Sequence, residues 1–410
     1  MVSRNWRWRL SWCSMSRCTS RSKKEADALT CSCHRRLRLG RAPSADGYGC
    51  TTAGASSPAD VSDVFSCGGS AAPASGRSAM ASASMALSSP RTFRCAGEQA
   101  MQYDKYGGGA EGLKHVDVPI PTPKKGEVPI KMEEASINQV DWKFQNGIAR
   151  PFMPNKFPFI PGCGIGQWGE QLDKVIAINF PDGGGLAEYA VAQASRAASP
   201  PPEVSAAEGA CLPIAAVTAL VALRTAGVSL DGDGSGGGDA KKNVLVTAAS
   251  GGVGHFAVQL ARLAGQHVTA TCGARNAGFV KGLGADEVLE YATPEGAAMR
   301  SPSGRRYDAV VHCARGFPWS AFAPVLADAG VVVDLTPGAA GVATALRQRV
   351  TFSKKRLVPL FVSTKKEDME LLAANGEGGE AQGGDRIEGW AKSMTWHVTG
   401  KIVVEMGEEE

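Results

Sequence analysis

The spacing of apolar residues changes twice along the chain. Residues 1–95 show no sustained period and few acids among Arg, Ser, Ala and Cys, and this texture predicts no packed element. From about Met101 the period becomes two. Val116-Asp-Val-Pro-Ile-Pro and Glu127-Val-Pro-Ile-Lys-Met-Glu alternate between Pro and Gly punctuation, which predicts the short strands of a β-rich unit over 101–205. Beyond Pro200 long helical segments alternate with short apolar runs. The expected order is helix Glu208 to Ala226, strand Asn243 to Thr247, helix His255 to Ala264 and strand His267 to Thr271. Strands at Glu287 to Tyr291, Asp308 to Cys313 and Val331 to Leu335 follow. Such alternation implies an α/β fold, a doubly wound parallel sheet covered by helices, over 206–340.

Length and composition narrow the class. The 410 residues allow two or three domains, and 43% hydrophobic with 20% charged residues is ordinary for globular chains. The most apolar run, Ala210 to Leu223, is interrupted by Pro213 and Thr218, which argues against a membrane-spanning protein. The net charge of +4 hides an asymmetry, because residues 1–100 hold 14 Lys+Arg against 6 Asp+Glu and the rest is mildly acidic. This excludes nucleic acid as the main partner of the body and gives the leader a sorting role. Met80-Ala-Ser-Ala-Ser-Met-Ala-Leu-Ser-Ser-Pro-Arg reads like an organellar transit segment by itself. Cys31-Ser-Cys33-His34 lacks a second ligand pair at zinc-finger spacing. Only Cys163, Cys211, Cys272 and Cys313 lie in the body, each expected to be a buried thiol in a reducing compartment. The Gly-rich stretch Asp231 to Asp239 reads as a surface insertion rather than a calcium loop.

The sharpest chemical signal is the run from Asn243 to Gly254, in which a buried strand delivers Ser250-Gly-Gly-Val-Gly254 to a helix. Glycines at Gly251, Gly252 and Gly254 let backbone N–H groups approach a pyrophosphate at the helix N-terminus. Strand, turn, helix and second strand arrive in order within about 30 residues, the length expected of a dinucleotide-binding unit. The second strand ends at Thr271-Cys-Gly273-Ala-Arg275-Asn276, where no acid stands to hold a ribose 2′-hydroxyl. Arg275 offers a planar fork to a 2′-phosphate instead, which favours NADPH. Ligands in such sheets sit beyond the carboxyl ends of the strands, so Cys313 and Thr336 become edges of the cleft. His312 reads as a hydrogen-bonded structural residue.

Together with Gly185-Leu-Ala-Glu-Tyr-Ala190, Leu212-Pro-Ile-Ala-Ala-Val-Thr-Ala-Leu220 and Thr399-Gly-Lys-Ile-Val-Val-Glu405, these motifs resemble the medium-chain dehydrogenase/reductase superfamily, in its zinc-independent quinone oxidoreductase branch. Lys114 to Gly126, Ala135 to Lys143, Lys156 to Gly162 and Thr351 to Leu360 look like the plant and algal chloroplast envelope members, and the likeness runs from Tyr103 to Met406. The resemblance implies a GroES-like catalytic domain split around a Rossmann domain, with 341–410 returning to the former. It implies NADPH-dependent hydride transfer to quinones or to the double bond of α,β-unsaturated ketones and aldehydes. No metal is expected, since the catalytic Cys and His and the four-Cys lobe of the zinc members are missing.

Carried over by motif, Asn138 lies near the nicotinamide as a catalytic candidate beside Lys143, Thr218 in the cleft, Ser250, Gly252 and Val253 at the pyrophosphate, and Arg275, Asn276 and Tyr291 around the 2′-phosphate. Lys401 stands close to the cofactor. Lys143 is either the donor to the substrate carbonyl or a solvated lysine after a Trp anchor. Two stretches depart from the family pattern: Ile165 to Leu172 replaces a longer hairpin, and Asn375 to Asp385 replaces a helix and strand. They leave open a non-catalytic alternative, a chain that binds NADPH and serves only interaction or membrane docking. The basic run Lys354-Lys-Arg356 with Lys365-Lys366 offers a peripheral contact with an anionic membrane surface. Oligomeric state stays open, a homodimer among the options.

Overall fold

The computed structural model describes residues 7–11, 14–15, 97–148, 150, 156–169, 172–230, 241–362, 364–377 and 382–406. Asn243–Thr247 becomes a strand buried on both sides, since Val244, Leu245 and Val246 are all inaccessible. Side chains buried on both faces are what a central parallel strand requires. His267–Cys272 and Glu287–Glu290 pair on one side of it, and Tyr307–His312, Leu326–Asp334 and Arg356–Pro359 on the other, all parallel. The order Glu287–Glu290, His267–Cys272, Asn243–Thr247, Tyr307–His312, Leu326–Asp334, Arg356–Pro359 reverses direction at Asn243–Thr247. That is the topological switch point where Rossmann sheets bind ligands.

The edge strand Arg356–Pro359 moves the boundary expected at residue 340 past residue 359. Leu357 pairs with Val332 and is buried, but its apolar run is short and lies between basic stretches, so its period is faint. Pro359 is tolerated there because an edge strand can do without one ladder donor.

Two helical segments pack into the core that also holds Val244 and Val246. Ser205 caps Ala206–Cys211 through a capping box with Glu208. The helix then loosens into a π turn over Leu212–Ala216 and resumes as Val217–Thr225. The stretch Ala206–Thr225 is long and apolar enough to cross a membrane, yet 72% of its most apolar window is buried inside the protein, as a core helix. Gly254–Leu263 lays Phe256, Ala257, Val258, Leu260 and Ala261 into the same core.

The β-rich unit closes around a second core that includes Met101, Tyr103, Ile130, Trp142 and Trp390. Its main antiparallel sheet runs Ala197–Ala198, Leu172–Ile178, Gly164–Gly169, Glu134–Ile137, Lys401–Glu405, Arg7–Ser11, Gln382–Asp385. Two flanking pairs join Gly97–Gln102 to Lys114–Pro119 and Glu127–Lys131 to Tyr189–Gln193. The C-terminal strand Lys401–Glu405 thus lies in this unit, between Glu134–Ile137 and Arg7–Ser11. The unstructured leader expected over 1–95 is corrected at its start, because Arg7–Ser11 pairs with Lys401–Glu405 on one side and Gln382–Asp385 on the other. Backbone groups on an open sheet edge take any extended segment that reaches them, and composition carries no trace of that. The Met80 restart, the Cys31 to His34 cluster and the Asp231 to Asp239 insertion lie outside the described residues.

Gly254 shows how tightly the helix is seated. A Cβ there would stand 2.4 Å from the Ala248 carbonyl oxygen and 2.7 Å from the Ala249 Cα, both backbone atoms. Gly254→Ala should therefore lower the melting temperature, with a loss of about 1–3 kcal/mol. Gly278→Ala, with no atom within 4 Å of its would-be Cβ, should hold stability or raise it by up to about 1 kcal/mol. Equal shifts for the two variants in thermal unfolding would contradict this packing.

Candidate functional site

The turn after Asn243–Thr247 starts at Ala248, a non-glycine residue held at φ 49. Its carbonyl accepts from Gly251 N–H, and Ala249 N–H donates to Thr271 O at 2.8 Å, which ties the turn to the second strand. Gly251, Gly252 and Gly254 all face close neighbours: Ala248 O at 3.3 Å, Lys401 Cδ at 3.2 Å and Ala248 O at 2.4 Å from their would-be Cβ atoms. A Cβ is excluded at Gly254 and would be tight at Gly251 and Gly252, and such a bare backbone at a helix N-terminus suits a phosphate. His255 holds the turn from beneath by donating from Nδ1 to Gly251 O at 2.9 Å. Burial keeps its pKa down at about 4, so the ring is neutral and its Nε2 is left without a partner.

Asn138, Lys143, Thr218, Gly251, Gly252, Val253, Gly254, Cys313, Thr336 and Lys401 line one cavity of about 410 Å³ between the parallel sheet and the β-rich unit. Thr218 reaches it because the π turn carries it and Ile214 to the cleft side, half-buried between buried neighbours; its hydroxyl donates to Ile214 O at 2.6 Å. Such turns re-aim side chains at functional sites. Gly273, Arg275 and Tyr291 line a second cavity of about 460 Å³ with His397. Between the two, Asn276 donates from Nδ2 to Ser250 Oγ at 3.0 Å and accepts from the Thr399 hydroxyl at 3.2 Å.

Asn138 caps helix Gln139–Gln145, and the buried Asp141 carboxylate accepts from the backbone N–H groups of Asn138 and Cys163. Burial raises the pKa of Asp141 and pushes the Cys163 thiol well up. Asn138 donates from Nδ2 to Ser136 O and Oγ at 3.0 and 3.1 Å, and its Oδ1 accepts from the Lys401 ammonium. Both ends of the amide are thus engaged. The sequence reading put Asn138 among the catalytic residues; in this geometry it positions Lys401. Lys401 is 3% exposed, and burial lowers its pKa to about 8.

Cys313 keeps its proton, since burial pushes its thiol up to about 12. His312 is structural. Thr247 Oγ1 accepts from the N–H groups of Cys313 and Ala314 and lies 2.8 Å from His312 Nδ1, so its own proton goes to that nitrogen. Burial holds His312 at about 4, hence neutral.

Lys143 stands on the helix that Asn138 caps, with Nζ 5.0 Å from the centre of the Trp396 ring. Arg315 lies 4.5 Å from the same ring, and Trp142 meets it edge-on at 5.2 Å. Burial and the neighbouring Arg315 charge lower Lys143 to about 8. Arg315, Trp396 and His397 escaped the sequence reading. The only signal near them was the Thr-Gly-Lys motif just after Val398.

Residues 252–375 match the family model of zinc-binding dehydrogenases. A chloroplast envelope quinone oxidoreductase homolog of Arabidopsis thaliana is 52% identical over 327 residues, covering 75% of this chain and 98% of that protein. The chloroplastic quinone-oxidoreductase QR1 of Triphysaria versicolor matches at 52% with the same coverage. Among solved structures, the quinone oxidoreductase of Coxiella burnetii superposes at TM-score 0.60 and 26% identity, over 75% of this chain and 98% of that one. The quinone oxidoreductase of Thermus thermophilus, solved also with NADPH, shares the fold at TM-score 0.60 and 24% identity, over 75% and 100%. The chain belongs to the medium-chain dehydrogenase/reductase superfamily, among the chloroplast quinone oxidoreductase homologues, and is an oxidoreductase of the chloroplast.

Proposed function

We propose that the chain is a zinc-independent, NADPH-dependent reductase of quinones and of the double bond in α,β-unsaturated ketones and aldehydes. The observation that carries this reading is the cavity around Arg275, Tyr291 and His397 at the carboxyl end of the second strand, which no acid lines. It suits a 2′-phosphate, while the Gly251 to Gly254 cradle suits the pyrophosphate. Among the described residues no three His, Cys, Asp or Glu side chains gather as metal ligands, which supports the zinc-free reading. Bound NADPH would supply a hydride. The chain's own part is to orient, exclude water and supply a donor: Asn138 fixes Lys401, Trp396 walls the cavity, and Lys143 Nζ points a proton toward an oxygen that gains charge.

The observation behind a membrane contact is an exposed row, Val342, Leu346 and Val350 on helix Ala339–Val350, followed by Phe352 at 90% and Phe361 at 82% exposure. Arg347, Arg349, Lys354 and Lys365 are exposed on the same segment. Apolar groups ringed by cations suit an anionic lipid surface.

Arg275→Ala should weaken NADPH binding by about 1–3 kcal/mol, the loss of a hydrogen bond to a charged group, and leave NADH binding nearly as it was. Fluorescence titration of both cofactors decides; equal losses would defeat the 2′-phosphate assignment.

Lys143→Met should lower kcat for an enone by a factor on the order of 100–1,000, with NADPH affinity held. In the wild type Lys143 and Lys401 lose their charge as pH rises through about 8, so turnover should fall above that value. Stopped-flow rates across pH test both points. Unaltered turnover in Lys143→Met removes this lysine from the site, and NADPH binding without turnover of any quinone or enone supports the non-catalytic alternative.

A further inference from the structure

The lining of the main cavity contains three cations, Lys143, Arg315 and Lys401, and no Asp or Glu. Lys401 is accounted for: it donates to Asn138 and lies against Gly252 in the phosphate cradle. Lys143 and Arg315 are not. Among the described residues neither pairs with a carboxylate; both rest on the Trp396 indole, at 5.0 and 4.5 Å from its centre. Two like charges held near one ring repel, and the lowered pKa of Lys143 registers that repulsion together with burial. Trp396 is itself held at φ 63, a left-handed backbone that an aromatic residue rarely adopts. The fold therefore maintains a strained residue and an uncompensated charge pair at the mouth of the cleft, and an anion would relieve the charge.

The cofactor's anions have other places to go. Its pyrophosphate fits the Gly251 to Gly254 turn, and a 2′-phosphate fits the separate cavity at Arg275. What remains near Arg315 is the acceptor end, walled by apolar Ile214, Leu335, Trp396 and Val398. Arg315 follows Cys313 and Ala314 in the loop beyond the Tyr307–His312 strand, and it presents a planar fork suited to a planar carboxylate. Lys143 and Arg315 are at most about 9.5 Å apart through the shared ring. We infer that Arg315 is a specificity residue that, over Trp396, binds a carboxylate carried by the acceptor while Lys143 faces the acceptor's carbonyl. This rests on the reductase reading above, and it selects carbonyl acceptors that also bear a carboxylate over neutral ones of the same length.

The test uses two matched pairs: 4-oxonon-2-enoate and its methyl ester as acceptors, and the saturated 4-oxononanoate and its methyl ester as non-reacting ligands. In the NADP⁺-loaded wild type, calorimetry should show the saturated acid binding about tenfold tighter than its ester, a tenfold ratio being 1.4 kcal/mol. The kcat/KM ratio of the unsaturated pair should follow it. Arg315→Gln should bring both ratios near one with the NADPH dissociation constant held. Arg315→Lys, which keeps the charge and loses the fork, should recover part of the preference. Ratios that persist in Arg315→Gln overturn the proposal, as does a variant that loses NADPH affinity while the acid keeps its advantage, since Arg315 then serves a cofactor phosphate. If neither unsaturated compound oxidises NADPH but the saturated acid still binds in an Arg315-dependent way, the reductase reading fails and the carboxylate site stands.

Discussion

The two sheets share an apolar core, in which Ile176, Ile178 and Val403 meet Leu212, Val244 and Val246, and a short strap bonds them together. Gly400 N–H donates to Ser250 O at 2.9 Å, and the next residue, Lys401, sends its ammonium to Asn138 Oδ1. One residue earlier, the Thr399 hydroxyl reaches Asn276, which in turn holds Ser250. Within three residues the C-terminal strand is thus bonded to the phosphate turn, to the loop after the second strand and to the cap of helix Gln139–Gln145. Each of those elements is anchored in packed structure, so the strap fixes the distance between the Gly251 to Gly254 turn on one sheet and the Asn138 cap on the other. Trp396 and His397 inherit their places from it, one at each end of the cleft.

This arrangement concentrates positive charge where burial makes charge expensive. An ammonium removed from water loses hydration that only hydrogen bonds or a counter-charge replace. Lys401 finds Asn138 Oδ1 and the Ile137 carbonyl at 3.3 Å, and it also feels the buried Asp141. On the proposed reading the cleft's ligands are anionic and supply the balancing charge. A cleft that is unstable in charge when empty gains more from a phosphate than a neutral one would. Preorganised donors also cost no reorganisation when charge develops on a substrate oxygen.

Much of this was legible in the sequence, for a physical reason. The parallel strands are buried on both faces, so Asn243–Thr247, His267–Cys272 and Tyr307–His312 appear as short segments rich in Val, Ala and Thr, and the Gly turn between strand and helix has few other structural uses. Gly251, Gly254, Cys313 and Thr336 were readable because topology alone carries strand ends and helix starts to one cleft, whereas Thr218 came only with the family motif. Arg315, Trp396 and His397 were not, because their roles depend on two segments some 80 residues apart in sequence meeting across a domain boundary. Nothing local distinguishes a cation stacked on indole from one in water. Arg356–Pro359 was hidden by its brevity, and Arg7–Ser11 by its basic surroundings.

The stretches that depart from the family pattern bear on whether the cleft can work. Gly164–Gly169 and Leu172–Ile178 still form an antiparallel hairpin, with Gly164 opposite Ile178 and Gly166 opposite Ile176. Gln382–Asp385 still lies in the same sheet, paired to Arg7–Ser11. Among the described residues neither stretch lends a side chain to the cavity, whose walls come from Ile137 to Lys143, the π-turn helix, the phosphate turn, Cys313 to Arg315, Leu335 and Thr336, and Ser393 to Ile402. Gly164 and Gly166 are constrained from the other side: a Cβ would stand 2.4 Å from Ser136 Oγ and 2.6 Å from the Ala206 carbonyl oxygen. The hairpin therefore keeps the contacts that seat Ser136 beneath Asn138, and through Asn138 the position of Lys401.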